Sequence, residues 1–172
     1  MNKTTIIAII FLLTMAVFPV LVDSAWMGNG ITFLVFAVVA FSQDIILGRA
    51  GIFNMGHAIF FGIGAYTTAI LNVHFGFEII ATVPFAIILP IIISILLAGP
   101  IIHLRGDYLL VATIGFNIIF EQVLKNNVFD VTGGPSGIFG IDVVRIFGYE
   151  LYSDTAIYYI AFGLLLITLF II

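Results

Sequence analysis

Polar residues interrupt this chain so rarely that it falls into five or six apolar runs of about 17 to 24 residues, each near the length that crosses bilayer hydrocarbon. The spans run Ile6 to Val22, Ile31 to Leu47, Ala50 to Val73, Ile79 to Ile102, Tyr108 to Leu124 and Ala156 to Ile172. A segment in lipid must satisfy its own backbone N–H and C=O groups, which leaves helices or a closed barrel. Barrel strands alternate polar with apolar residues, and these runs do not. The expected fold is an all-α, polytopic transmembrane helical bundle of five or six spans. Composition agrees, at 63% hydrophobic and 8% charged with a mean hydropathy of +1.32, against about a quarter charged in soluble chains. The runs leave little room for a soluble domain, so residues 1–172 read as a single transmembrane domain with an external loop over about 125–155.

The formal net charge of −4 provides neither a basic surface for nucleic acid nor a polybasic lipid-binding cluster. Cysteine is absent, which excludes disulfides and thiol chemistry. The first span has two readings: an uncleaved helix, or a signal peptide with Lys3 as its basic region and Val22-Asp23-Ser24 as its cleavage site. Among basic residues near span ends, Lys3, Arg49 and Arg105 lie on one side and Lys125 and Arg145 on the other, which places Arg49 and Arg105 in the cytoplasm. Asp44 beside Arg49, and Asp107 beside Arg105, read as pairs anchoring span ends in the headgroup layer. Pro84, Pro90 and Pro100 remove helix donors from the fourth span and predict a bend there.

The third span is rich in glycine, alanine and threonine, which make up ten of its 24 residues. Lipid tails are already apolar, so small side chains gain a span nothing except close approach to another helix. At about 100° per residue, Gly51, Ala58, Gly62, Ala65 and Ala69 form one stripe with Asn54 at its edge, the pattern of a helix-packing face.

On the fifth span Thr113, Asn117, Glu121 and Lys125 recur every four residues, one polar stripe on an apolar helix. Polar groups at membrane depth are costly, which makes Asn117, Thr113 and Glu121 candidates for lining a solute pathway. The plainer alternative returns the Thr113 hydroxyl to the preceding turn and pairs Glu121 with Lys125 at the interface. His57, His74 and His103 neither cluster nor meet carboxylates at ligand spacing, so no metal site is expected. Val131-Thr132-Gly133-Gly134-Pro135-Ser136-Gly137 lacks the lysine of a phosphate loop and reads as a tight reversal, followed over Ile138 to Phe147 by a short hairpin or interfacial segment. No nucleophile, base and oxyanion donor can be assembled, so neither an enzyme nor a cofactor is expected.

Three blocks, GRAGIFNMGHAIFFGIGAYTTAIL at Gly48 to Leu71, LRGDYLLVATIGFNII at Leu104 to Ile119 and VTGGPSGIFGI at Val131 to Ile141, together resemble the branched-chain amino acid ABC transporter permeases of the LivM type. The resemblance implies a prokaryotic cell-membrane subunit that forms the solute pathway. Its implied partners are a second permease subunit, cytoplasmic ATP-binding subunits that hydrolyse ATP and an external substrate-binding protein. It also implies that the Gly56-His57 block belongs to the permease core, and that Gly133, Gly134, Pro135 and Gly137 lie outside, where a binding protein docks. Ser136 stands where the family usually has Asn. The family's cytoplasmic Glu-Ala-Ala-like coupling segment is not found, since Glu78, Glu121 and Glu150 are followed by Ile, Gln and Leu. The sequence therefore reads as an amino-terminal portion of such a permease. Relatives for urea or short-chain amides leave the solute open, and a non-transporting assembly subunit is the alternative in which the small stripe serves only association.

Overall fold

The computed structural model describes residues 3–49, 51, 54–101, 103–104, 106–146 and 149–172. Among the described residues six long helices carry the architecture: α1 (Lys3–Leu21), α2 (Ser24–Asp44), α3 (His57–Phe75), α4 (Ile79–Ile101), α5 (Asp107–Lys125) and α6 (Asp154–Ile171). Among the described residues five helical stretches are long and apolar enough to cross a membrane, Ala25–Arg49 and α3 to α6, while Ile10–Leu21 in α1 is a shorter apolar stretch. The all-α expectation therefore holds. Most large apolar side chains point outward, as in α4, where Ile87, Ile91 and Ile95 are exposed. That distribution suits a helix whose solvent is lipid or another span.

The chain divides into two compact units. The first comprises residues 1–42 and 151–172, and its core is Met27, Leu34, Tyr158, Ala161 and Leu165. Tyr158 is fully buried, stacks on Phe18 at 5.6 Å between ring centroids and donates its hydroxyl hydrogen to the Met15 carbonyl at 2.8 Å. That carbonyl is the one left without a helical partner by Pro19, which carries no N–H to offer four residues back. A tyrosine from α6 thus repairs a proline defect in α1.

The second unit, Gln43–Glu150, holds α3, α4 and α5. Here α3 and α4 meet at Gly64, where an added Cβ would lie 3.3 Å from the Ala86 carbonyl oxygen, the group that Pro90 cannot bond. Gly62, two residues earlier, turns toward α5, and a Cβ there would lie 2.8 Å from the Phe120 ring. Gly76 ends α3 in the left-handed conformation, φ 69°, with the Gly76 and Phe77 N–H groups returning to the Asn72 and Leu71 carbonyls. This is the glycine-terminated helix end that satisfies carbonyls otherwise left open.

Three expectations are corrected. The third span does not run as helix from its amino-terminal end: α3 starts at His57, and Gly51 lies outside it at φ 65°. The Asn54 side chain accepts the Gly56 N–H at 2.7 Å, a local bond that competes with helix, so Gly51 and Asn54 do not share the helical stripe. The hairpin is shifted, with Arg145–Ile146 pairing antiparallel to Tyr149–Glu150, while residues 138–144 form no strand. The second span starts earlier, at Ser24, and its helix passes into a π-helical turn at Ile45–Arg49. The span limits Ala50 and Ile102, the hairpin limit Phe147, and Arg105, which was expected in the cytoplasm, lie outside the described residues.

Candidate functional site

The segment before α3 is held open rather than coiled. Gln43 donates its Nε2 hydrogen to the Asn54 carbonyl at 2.6 Å, and the Met55 N–H reaches across to Thr113 Oγ1 on α5 at 3.1 Å. Thr113 in turn donates to the Leu110 carbonyl at 2.9 Å, so its hydroxyl is used in both directions and its side chain is buried. Backbone groups that leave a helix need other partners, and here protein groups supply them. Between this segment, the end of α4 and the start of α5 lies a cavity of about 460 Å³, with Asn54, Ser94 and Thr113 as its polar side chains and Phe60, Leu97 and Phe116 among its apolar walls. A second cavity, about 470 Å³ and almost wholly apolar, opens at the other end of the same three helices, bounded by Ile63, Phe85, Phe120 and Thr132.

The four-residue polar stripe is divided by this arrangement. Thr113 lines the first cavity, Asn117 is half-buried and lines neither, and Glu121 pairs with Lys125 at 2.5 Å with both side chains exposed. Of the small residues, Ala58 and Ala65 are exposed, Gly62 meets Phe120 and Ala69 is buried. His57 opens α3 and is half-buried. No ion pair joins Asp44 to Arg49 among the described residues, where the pairs are Glu121–Lys125 and Arg145–Glu150.

The loop after α5 is ordered by residues that spacing did not single out. Asn127, left-handed at φ 48°, accepts the N–H groups of Thr132 and Gly133 at 2.9 Å each and donates to Asp130 at 2.6 Å. Gly133 stands at φ 71° against the Gly137 backbone, so any side chain there would collide with it, which explains why this reversal is glycine-rich. Pro135 follows buried Gly134 in a short 3₁₀ turn that Gly137 closes by donating its N–H to the Gly134 carbonyl. Two residues at the end of α3 fasten the loop. The buried Asn72 bonds the Asp142 N–H, the Asp142 carboxylate and the Phe77 carbonyl, and His74 contacts the Val131 carbonyl at 3.2 Å. The sequence signal for Asn127 was an Asn pair directly after a helix end, a frequent left-handed position. For Asn72 it was a lone amide on an apolar face.

Residues 27–172 match the family described as branched-chain amino acid transport system, permease component. The chain is 34% identical over 149 residues to the high-affinity branched-chain amino acid transport system permease protein LivM of Escherichia coli, which covers 86% of this chain and 35% of that protein. Against the LivM protein of Salmonella typhimurium the identity is 34% over 122 residues, 71% of this chain and 28% of the relative. The chain thus spans about a third of the length of these curated relatives. No solved structure matches it. With its apolar helices and a match covering most of its length, the chain belongs to the branched-chain amino acid permease family and is a multi-pass protein of the cell membrane.

Proposed function

We propose that this chain supplies part of the solute pathway of an ABC importer for branched-chain amino acids, working with a second permease subunit, cytoplasmic ATP-binding subunits and an external substrate-binding protein. The observation that carries the reading is the family match over residues 27–172, joined to two LivM relatives. In this reading ATP is hydrolysed in the partner chains. Thr113, Asn117 and Glu121 lie along the route, and the small residues Ala58, Gly62, Ala65 and Ala69 serve packing within and between permease subunits. The loop carrying Gly133, Gly134, Pro135 and Gly137 faces outward toward the binding protein. The fastening of that loop by Asn72 and His74 supports its role as a fixed surface.

The test is uptake of radiolabelled leucine and of urea by membrane vesicles that contain the chain with its companion subunits. ATP-dependent leucine accumulation, well above that of urea, is expected. Accumulation of urea without leucine would replace the reading with an amide permease, and accumulation of neither would favour an assembly subunit. Asn117→Leu should impair leucine uptake at unchanged chain abundance, and unaltered uptake would remove Asn117 from the route.

A further inference from the structure

We infer that a small cavity between α1, α2 and α6 is a site for an ammonium group, carried to it on the headgroup of an ethanolamine phospholipid. The site belongs to the unit of residues 1–42 and 151–172 and is independent of the function proposed above. The cavity, about 200 Å³, flanks the packed core of that unit, and four aromatic residues line it, Phe18, Trp26, Phe33 and Tyr158. Small-molecule pockets usually start at about 300 Å³, so this one admits a headgroup fragment rather than a whole solute. An interfacial aromatic belt accounts for Trp26, exposed near the end of a span, but not for a cavity lined by rings from three helices.

Rings and charge together select a cation. Aromatic faces attract ammonium groups, and several rings around one small space are a recurrent way of holding them. Asn29, also in the lining, brings a carboxamide oxygen that accepts an ammonium N–H. The charged side chains of the unit are Lys3, Asp23 and Asp154. Lys3 begins α1, about 27 Å by helical rise from the end where the cavity lies. Asp154 precedes Tyr158 by four residues and shares its face of α6, while Asp23 precedes Trp26 by three, its carbonyl accepting the Trp26 N–H at 3.0 Å. Both acids are exposed, and the helix N-termini beside them, at about +0.5 charge each, offset them only in part. This end of the unit is therefore net negative, which draws in an ammonium and turns away a lipid of net negative charge.

Depth points to a lipid as the carrier. Phe18, Trp26, Asn29 and Tyr158 lie within about 8 Å of their helix ends by rise, close to headgroup level, and Met15 and Phe33 extend the lining deeper, where a lipid has its hydrocarbon. A free amine has no such stem.

Trp26 is the one tryptophan of the chain, so its fluorescence reports the cavity without background. The full chain in dodecylmaltoside micelles is titrated separately with dihexanoylphosphatidylethanolamine, dihexanoylphosphatidylglycerol and ethanolamine hydrochloride. The ethanolamine lipid should change the emission saturably, well below the concentration at which free ethanolamine acts, and the glycerol lipid should give no saturable change. Phe33→Leu, at an exposed position and with helicity checked by circular dichroism, should weaken the response about tenfold, as for loss of one desolvated cation–π contact. Asp23→Asn combined with Asp154→Asn should weaken it severalfold. Equal responses to the two lipids, no saturable response, or a response unchanged in both variants would overturn the site. Saturation by free ethanolamine at the concentration of the lipid would overturn the lipid as its ligand.

Discussion

Each of the two units contains a helix in which proline withholds an N–H from a carbonyl four residues back, and the two freed carbonyls meet different neighbours. In the unit of residues 1–42 and 151–172, the Tyr158 hydroxyl supplies the missing donor to Met15, and the aromatic ring fills the space with Phe18 around Gly30. In the unit of residues 43–150, the Ala86 carbonyl instead faces Gly64, and the two backbones close on each other. The first solution fixes α1 and α6 by a directional bond in a filled core. The second needs only the absence of a side chain, and the unit retains cavities at both ends of its helices, with polar clasps at Thr113 and Asn72. A proline defect thus serves rigidity where a hydroxyl meets it and close helix approach where a glycine does.

The contrast breaks most visibly at Gly30. A Cβ there would lie 2.6 Å from the Phe18 ring and 3.0 Å from that of Tyr158, so Gly30→Leu should destabilise its unit by about 3 kcal/mol, the upper end for overpacking. Unfolding in detergent and hydrogen exchange should show the loss over residues 3–42 and 151–172. In the other unit, Asn72→Leu leaves the Asp142 N–H and the Phe77 carbonyl without their partner and should cost about 2 kcal/mol, with faster exchange over residues 138–144. Tyr158→Phe keeps the ring and removes only the bond to Met15, which should cost about 1 kcal/mol. The smallest effect is expected for Lys125→Ala, below about 0.5 kcal/mol and weaker still in salt, because its pair with Glu121 is solvent-exposed. Equal losses for Tyr158→Phe and Lys125→Ala would erase the distinction between a bond that repairs a helix and one that decorates it.

The apolar runs made the helices legible, since their length against bilayer thickness leaves little else to fold into. The three blocks carried the family. What escaped were places where one polar side chain overrides periodicity. Spacing alone extends the third span through Asn54, but its side chain bonds the Gly56 N–H and stops the helix at His57. Likewise the stripe read from Ala58 to Ala69 has exposed members at Ala58 and Ala65, while the close approach to α4 is made by Gly64. Glycine content announces that α3 packs tightly, yet which glycine meets which helix depends on where Pro90 opens a carbonyl on α4. Thr113 was visible as a polar residue on α5, but its partner, the Met55 N–H, was not, because a backbone donor is unmasked only where the helix has ended.

The central claim is that the chain before α3 leaves the helix and is clasped against α5 to form one wall of the cavity. A Cβ at Gly56 would lie 3.6 Å from the Thr113 Cβ, within the range that a disulfide bridges, and the chain has no other thiol. The direct measurement is oxidation of the Gly56→Cys, Thr113→Cys double variant in native membranes. Rapid formation of an intrachain disulfide, seen as a reductant-reversible mobility shift absent from either single variant, is the expected result. Two free thiols that persist under oxidation in a stably inserted chain would contradict it.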